Sequence, residues 1–369
     1  MPQSESPTHD GGTNPELAAF LHAAADREAS DIHLVPGSAA TFRIHGRLQQ
    51  VTQTALTPPQ VRRMVESIVP DRLRDRLAEL KNIDCSLSVE HRGAPCRFRA
   101  NLFVAQGDFC ACLRHVPNEI PSFEWMGFPE GLAQRLTAYP NGLVIVTGVT
   151  GSGKSTTLAA MVNVLNRQGG YRIITVEEPI EYVHQPMSST LITQREVGRD
   201  VDSFFEGLKY GLRQDPNVIL VGEIRDRDTA QMALSAAETG HLILATMHTK
   251  DAKGAVTRIT DLFPPDAQSD IRTQLALSLR SVVGQHLLPP KTEGQKRVLA
   301  LEIMHVNQPV RAGIKFGKIE SIDSAIQTGK RDGMLPLDED LSRLYAEGRI
   351  AFETARRFAK DSESIATGR

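Results

Sequence analysis

Residues 148–156 read GVTGSGKST and fit the spacing G-x-x-x-x-G-K-[ST]. Chemistry for binding a nucleoside triphosphate needs these residue types. Gly148, Gly151 and Gly153 let the backbone turn so that its N–H groups, including those of Thr150 and Ser152, point inward at phosphate oxygens. A helix starting at this point adds the positive end of its dipole. Lys154 reaches the β- and γ-phosphates as a point charge, and Ser155 offers its hydroxyl to magnesium, with Thr156 beside it. The apolar run LVIVT precedes the loop and STTLAAMVNVLN follows it, which is the strand–loop–helix context the motif requires.

Such a loop needs a carboxylate near the metal and a group that orients water. PNVILVGEIRD, residues 216–226, is an apolar strand ending in Glu223, a second candidate metal ligand. An aspartate is the more usual residue there, and Gly222 precedes the acid. IITVEEPIEYVH, residues 173–184, is another apolar run ending in acid, with Glu177, Glu178 and Glu181 close together. One of them can polarise the attacking water, although acidic clusters often form solvated faces. TGHLILATMHT, residues 239–249, puts His241 and His248 at the two ends of a strand. A histidine at the C-terminal edge can sense a γ-phosphate; the alternative is a structural role.

The elements that position these groups are short buried strands alternating with helices. Runs at 143–147, 171–176, 218–221 and 241–246 are apolar on both faces, as parallel strands buried between helices are. After Gln308 the chain reads as helical, with candidates at 321–327, 336–347 and 352–360. The first third differs. Residues 1–14 are rich in Ser, Pro, Thr and Gly and read as a disordered tail, ended by Asn14 as helix cap and Pro15 at the first helical position. Strand patterns at 31–35, 41–51, 83–89, 96–104 and 109–116 and helices at 57–69 and 71–80 predict an α+β domain with a mostly antiparallel sheet. The proline-containing stretch HVPNEIPSF marks a boundary, giving domains at 15–117 and 118–369.

Composition narrows the partners. The net charge is −2 over 369 residues and aromatics are 5%. A nucleic-acid translocase, which uses a basic groove with stacking rings, is disfavoured. No apolar run approaches the roughly 20 residues that span a bilayer, so membrane association must go through a partner. Cys85, Cys96, Cys110 and Cys112 form no C-x-x-C pair, so zinc is not expected and the thiols read as small apolar residues in a reducing compartment.

Taken together, GVTGSGKST, VEEPIEYVH, VILVGEIRD and TGHLILATMHT resemble, in this order, the Walker A, Asp, atypical Walker B and His boxes of the type IV pilus and type II secretion ATPases. The likeness is greatest to the PilT-like pilus retraction ATPases and their PilU-like paralogues, and covers about residues 15–360. It implies a PAS-like N-terminal domain followed by a RecA-like P-loop ATPase domain with a C-terminal helical extension. It implies ATP and Mg2+ as cofactors, and Glu177, Glu223 and His248 as catalytic residues. EASDIHL and CRFRANLF resemble the family's N-terminal domain, which supplies arginines to nucleotide; Arg97, Arg99 and Arg114 match that role. The family works in the cytoplasm as a homohexamer, docked at the inner membrane on a platform protein, in some systems beside a paralogous pilus ATPase. An accessory subunit of weak activity, or an ATPase of a related secretion system, is the alternative. Val149 stands where the family has Pro and Glu178 where it has Asp. PVRAGIKFGK, residues 309–318, replaces an AIRNLIRE-type helix. The C-x-x-C element and longer N-terminal extension of assembly and type II secretion ATPases are absent, which favours a retraction-type paralogue.

Overall fold

The computed structural model describes residues 13–44, 46–69, 79, 81–116, 119–292 and 294–365. The chain divides into two units, one ending at Glu119 and one beginning at Ile120. Residues 1–12 of the expected tail and nearly all of the expected helix at 71–80 lie outside the described residues.

The first unit opens with α1 (Pro15–Asp26), where the Asn14 side chain accepts hydrogen bonds from the N–H groups of Glu16 and Leu17. Then come β1 (Ala29–Leu34), β2 (Ala39–Ile44), β3 (Arg47–Ala55), α2 (Pro58–Ile68), β4 (Asn82–His91), β5 (Ala94–Ala105) and β6 (Asp108–Val116). The strands form one six-stranded sheet in the order β3-β2-β1-β6-β5-β4, antiparallel throughout. Along β5, Cys96, Phe98, Ala100 and Leu102 are buried while Arg97, Arg99 and Asn101 are partly exposed. This is the two-residue period of a sheet with one covered face. Val61, Met64, Val65 and Ile68 give α2 its buried stripe, and with Leu17 and Leu21 of α1 they share a core with Ile32, Phe42, Phe98 and Leu113.

The second unit runs α3 (Phe123–Met126), α4 (Glu130–Thr137), β7 (Gly142–Thr147), α5 (Lys154–Gln168), β8 (Arg172–Glu177), β9 (Leu191–Glu196), α6 (Phe204–Gly211), β10 (Val218–Val221), α7 (Arg227–Glu238), β11 (Leu242–Met247), α8 (Ala252–Asp261), α9 (Gln268–Ser278), β12 (Leu279–Leu288) and β13 (Val298–His305). It ends with α10 (Gln308–Lys315), α11 (Ser321–Thr328), α12 (Leu337–Ala346) and α13 (Phe352–Phe358). The sheet order is β13-β12-β7-β11-β10-β8-β9, with β13 alone antiparallel. Every residue of β7, β10 and β11 is buried, so both faces are covered by helices.

The sequence reading names four strands of this sheet; the structure adds three. β9 is an edge strand reading LITQRE, with no buried residue, so it carries neither an apolar run nor alternation. β13 is buried throughout, and β12, buried at seven of its ten positions, mixes Arg280, Ser281, Gln285 and His286 with its apolar residues; together they close the other edge as an antiparallel pair.

Candidate functional site

β7, β8, β10 and β11 lie side by side in parallel, so the loops that leave their C-terminal ends share one edge of the sheet. The phosphate loop leaves β7 there. Gly148 is required by space: a Cβ would sit 2.4 Å from the Gln285 carbonyl oxygen and 2.5 Å from Ser152 Oγ. Gly153 takes φ 90° as the N-cap of α5, a conformation costly for any side chain. Lys154 is 7% exposed and its Nζ donates to the carbonyls of Gly148 (2.9 Å) and Val149 (3.1 Å), which folds the ammonium back over the loop. Burial holds it below the usual lysine range, with the Glu223 and Glu181 carboxylates pulling the other way. Ser152 Oγ is buried with no partner among the described residues. A glycine-bounded loop at a helix N-terminus, one buried hydroxyl unspent and one ammonium inside it, fits the phosphates of a nucleotide.

Glu223 follows the end of β10. Its side chain is 16% exposed and sits between Arg225, whose Nε is 2.6 Å from Oε2, and the His248 ring, whose Nε2 is 3.5 Å from Oε1. Arg225 also reaches Glu178 Oε2 at 2.8 Å, and these carboxylates raise its pKa against the effect of burial. Gly222, unusual as a sequence feature, has a packing reason. A Cβ there would meet Phe204 at 3.0 Å and the Val176 carbonyl at 3.1 Å, so only glycine lets β10 end this close to β8. His248 is held near the phosphate loop by threonines. Thr147 Oγ1, at the end of β7, lies 2.7 Å from Thr249 Oγ1 and accepts the Thr249 N–H at 3.0 Å. His241 lies at the other end of β11, with Nδ1 3.1 Å from the Ala236 carbonyl, which leaves it a local structural role.

Glu177 closes β8 and is tied to β9 rather than to Glu223. Its Oε1 accepts from Thr175 Oγ1 (2.6 Å) and Gln194 Nε2 (3.2 Å). Burial pushes the carboxyl up to about 7, with both bonds opposing the shift. Two supports of this corner escaped the sequence reading. Gln194 lies on the unrecognised β9. Tyr182, within the acidic segment, puts its OH 3.1 Å from Thr156 Oγ1 and so joins that segment to the phosphate-loop helix.

The structure thus brings Lys154, Ser155, Thr156, Glu177, Glu223 and His248 to one sheet edge. Arg97, Arg99 and Arg114 belong to the first unit. Arg99 and Arg114 pair directly across β5 and β6, and Arg97 is two residues along the same face. Asp31, 5% exposed, accepts from Arg114 Nε at 2.8 Å; Arg43 lies 3.8 Å from its other oxygen. The four cysteines are free thiols, and among the described residues no His, Cys, Asp and Glu group has metal-binding geometry of its own.

A family model described as type II/IV secretion system protein matches residues 8–353. The chain belongs to this family. Within it, the chain is 41% identical to the type IV pilus retraction ATPase PilT of Pseudomonas aeruginosa over 95% of its own length and 99% of that protein's. It is 36% identical to the type IV pilus ATPase PilU of the same organism, over 95% and 90% respectively. The crystal structure of the pilus retraction motor PilT with bound ADP superposes with a TM-score of 0.85 at 39% identity, covering 93% of this chain and 97% of that one. The retraction-ATPase resemblance seen in the four boxes therefore extends over nearly the whole chain. The fold class is that of the secretion ATPases: an α+β N-terminal unit followed by an α/β unit carrying the phosphate loop.

Proposed function

We propose that this protein is a motor ATPase that converts ATP hydrolysis into retraction of a type IV pilus. Similarity to a pilus retraction ATPase over 99% of that protein's length is the observation that carries the reading. In it, Gly148, Thr150, Gly151, Ser152, Gly153 and Thr156 cradle the phosphates and Lys154 sits against them. Ser155 and Glu223 hold magnesium, which when bound neutralises charge on the β- and γ-phosphates. Glu177 orients water, and His248, whose Nε2 lies 3.5 Å from Glu223 Oε1, reports the presence of the γ-phosphate. The chain acts as a homohexamer in which Arg97, Arg99 and Arg114 reach the nucleotide of a neighbouring subunit. It docks from the cytoplasm on an inner-membrane platform protein, and a paralogous ATPase is a further candidate partner. Among the described residues no helix is long and apolar enough to cross a membrane, in keeping with docking through a partner.

A second reading, an accessory subunit with weak turnover, is supported by the likeness to PilU. One experiment separates the two. The gene is expressed in a cell whose own retraction ATPase has been deleted, and pilus retraction is scored beside ATP turnover of the purified protein. Restored retraction, lost again with Lys154→Ala, supports the motor. Nucleotide binding without restored retraction, unless a cognate motor is co-expressed, supports the accessory subunit.

A further inference from the structure

We propose that Gln194 is a positioning residue for hydrolysis: its side-chain amide fixes the segment 177–184 and presents one oxygen of Glu177 to the attacking water. This rests on the reading of Glu177 as the water-orienting carboxylate.

Gln194 stands beside Thr175 in the parallel pairing of β9 with β8. Its amide makes three bonds, all to the same short segment. Oε1 accepts the His184 N–H at 2.8 Å, and Nε2 donates to the Tyr182 carbonyl at 2.8 Å and to Glu177 Oε1 at 3.2 Å. The partners settle which end of the amide is which. Flipping it would set oxygen against two acceptors and nitrogen against a backbone N–H. An amide so committed cannot rotate without breaking all three bonds.

The consequence lies on Glu177. Oε1 takes two donors, from Thr175 and Gln194, and Oε2 takes none among the described residues. The free oxygen is the one a water can use, and its direction follows from how Oε1 is held. Bonds to the charged form favour the carboxylate. The other charges acting on Glu177 are Glu181, on the segment itself, and Glu196, on β9; both disfavour it. Glu196 is itself engaged, accepting the Ile180 N–H at 3.1 Å. With Thr175, Gln194 is a neutral donor among acids at this corner, and its bond favours the ionised form of a carboxyl that burial pushes up.

The test is the pH dependence of kcat for ATP hydrolysis by the full chain with Gln194→Met. Glu177 acts as a base, so activity is lost as pH falls through its pKa. Removing a donor from the carboxylate raises that pKa, and the acid limb should move up by about one pH unit. KM for ATP should stay within about twofold, because the phosphate loop is untouched. An acid limb at the wild-type position, whether kcat is unchanged or lowered equally at every pH, overturns the inference. If Gln194→Met does not fold by its melting temperature, Gln194→Asn is read in the same way, since it keeps the amide and withdraws it by one methylene. Glu177→Gln is the control for the underlying reading. If it turns over ATP like the wild type, the role of Glu177 has failed, whatever Gln194→Met shows.

Discussion

Two clusters of charge in the second unit are built from similar parts and differ in what they leave unspent. At the nucleotide edge, Lys154 bonds only to backbone carbonyls, Glu177 has one unbonded oxygen and Ser152 Oγ has no described partner. The other cluster is about as acidic but closed on itself. Lys360 Nζ, beyond α13, meets Glu302 of β13 at 2.6 Å, Asp251 at 3.3 Å and Asp323 of α11 at 3.4 Å. Glu302 is 2% exposed, and its second oxygen accepts the Ala252 N–H at the start of α8. Lys253 takes the remaining oxygen of Asp323 at 2.7 Å and Glu320 at 2.9 Å. A satisfied buried network holds elements together; a half-satisfied one costs stability and is kept for a ligand. Substitutions in the first cluster should therefore act on turnover, and in the second on folding.

The largest expected effect is Lys154→Ala. It removes the cation among the phosphates and should abolish hydrolysis, while the melting temperature moves little because its bonds are to its own loop. Normal turnover would break the comparison at its first term. The next sharpens it. Arg225, the arginine inside the nucleotide cluster, pairs with Glu223 and Glu178 as Arg114 pairs with Asp31, so substitution decides which arginines serve the transition state. Arg99→Ala with Arg114→Ala should lower kcat by about 10³–10⁵, the worth of an arginine finger. Mixing this variant with Lys154→Ala should restore part of the activity, since some interfaces then pair an intact loop with intact arginines. No recovery in proven mixed assemblies would count against arginines acting between subunits.

Lys360→Met belongs to the second cluster. It strands Glu302 in the core beside Asp251 and Asp323, and should destabilise the chain by about 3 kcal/mol, read by denaturation. Lys360→Met with Glu302→Gln should recover part of that loss. If turnover falls while stability holds, the closed network serves catalysis after all.

How much of this the sequence carries depends on the period and spacing of each signal. The phosphate loop, Glu223 and His248 are legible because each follows a fully buried strand, and a short apolar run ending in a polar residue marks the sheet edge. Gly222 is unusual by its residues alone and expected from the resemblance to the atypical Walker B box; the packing reason, a missing Cβ that admits Phe204 and the Val176 carbonyl, is visible only in the fold. β9 has no apolar pattern, so Gln194 could not be singled out. Lys360, Glu302 and Asp323 are far apart in the chain and join only once α11 and the residues after α13 pack beside β13.

The smallest expected effect concerns the stretch 309–318, which belongs to neither cluster. Its buried side is ordinary: Asn307 caps α10 by accepting the Val310 N–H, and Val310 and Ile314 are fully buried. Gly313 packs against the next helix, where a Cβ would lie 2.7 Å from Ser321 Oγ. Arg311 Nε donates to the Ala276 carbonyl. These contacts account for the fold of α10 but not for Phe316, which is 70% exposed. An exposed apolar side chain contributes little to stability, so Phe316→Ser should change it by no more than about 0.5 kcal/mol. ATP turnover should also stay near wild type, because no bond connects Phe316 to the sheet edge. If this stretch passes force to the pilus, retraction in the complemented cell should fall nonetheless. Loss of turnover with Phe316→Ser would instead place α10 within the machinery that supports hydrolysis, and loss of neither would remove the stretch from the coupling path.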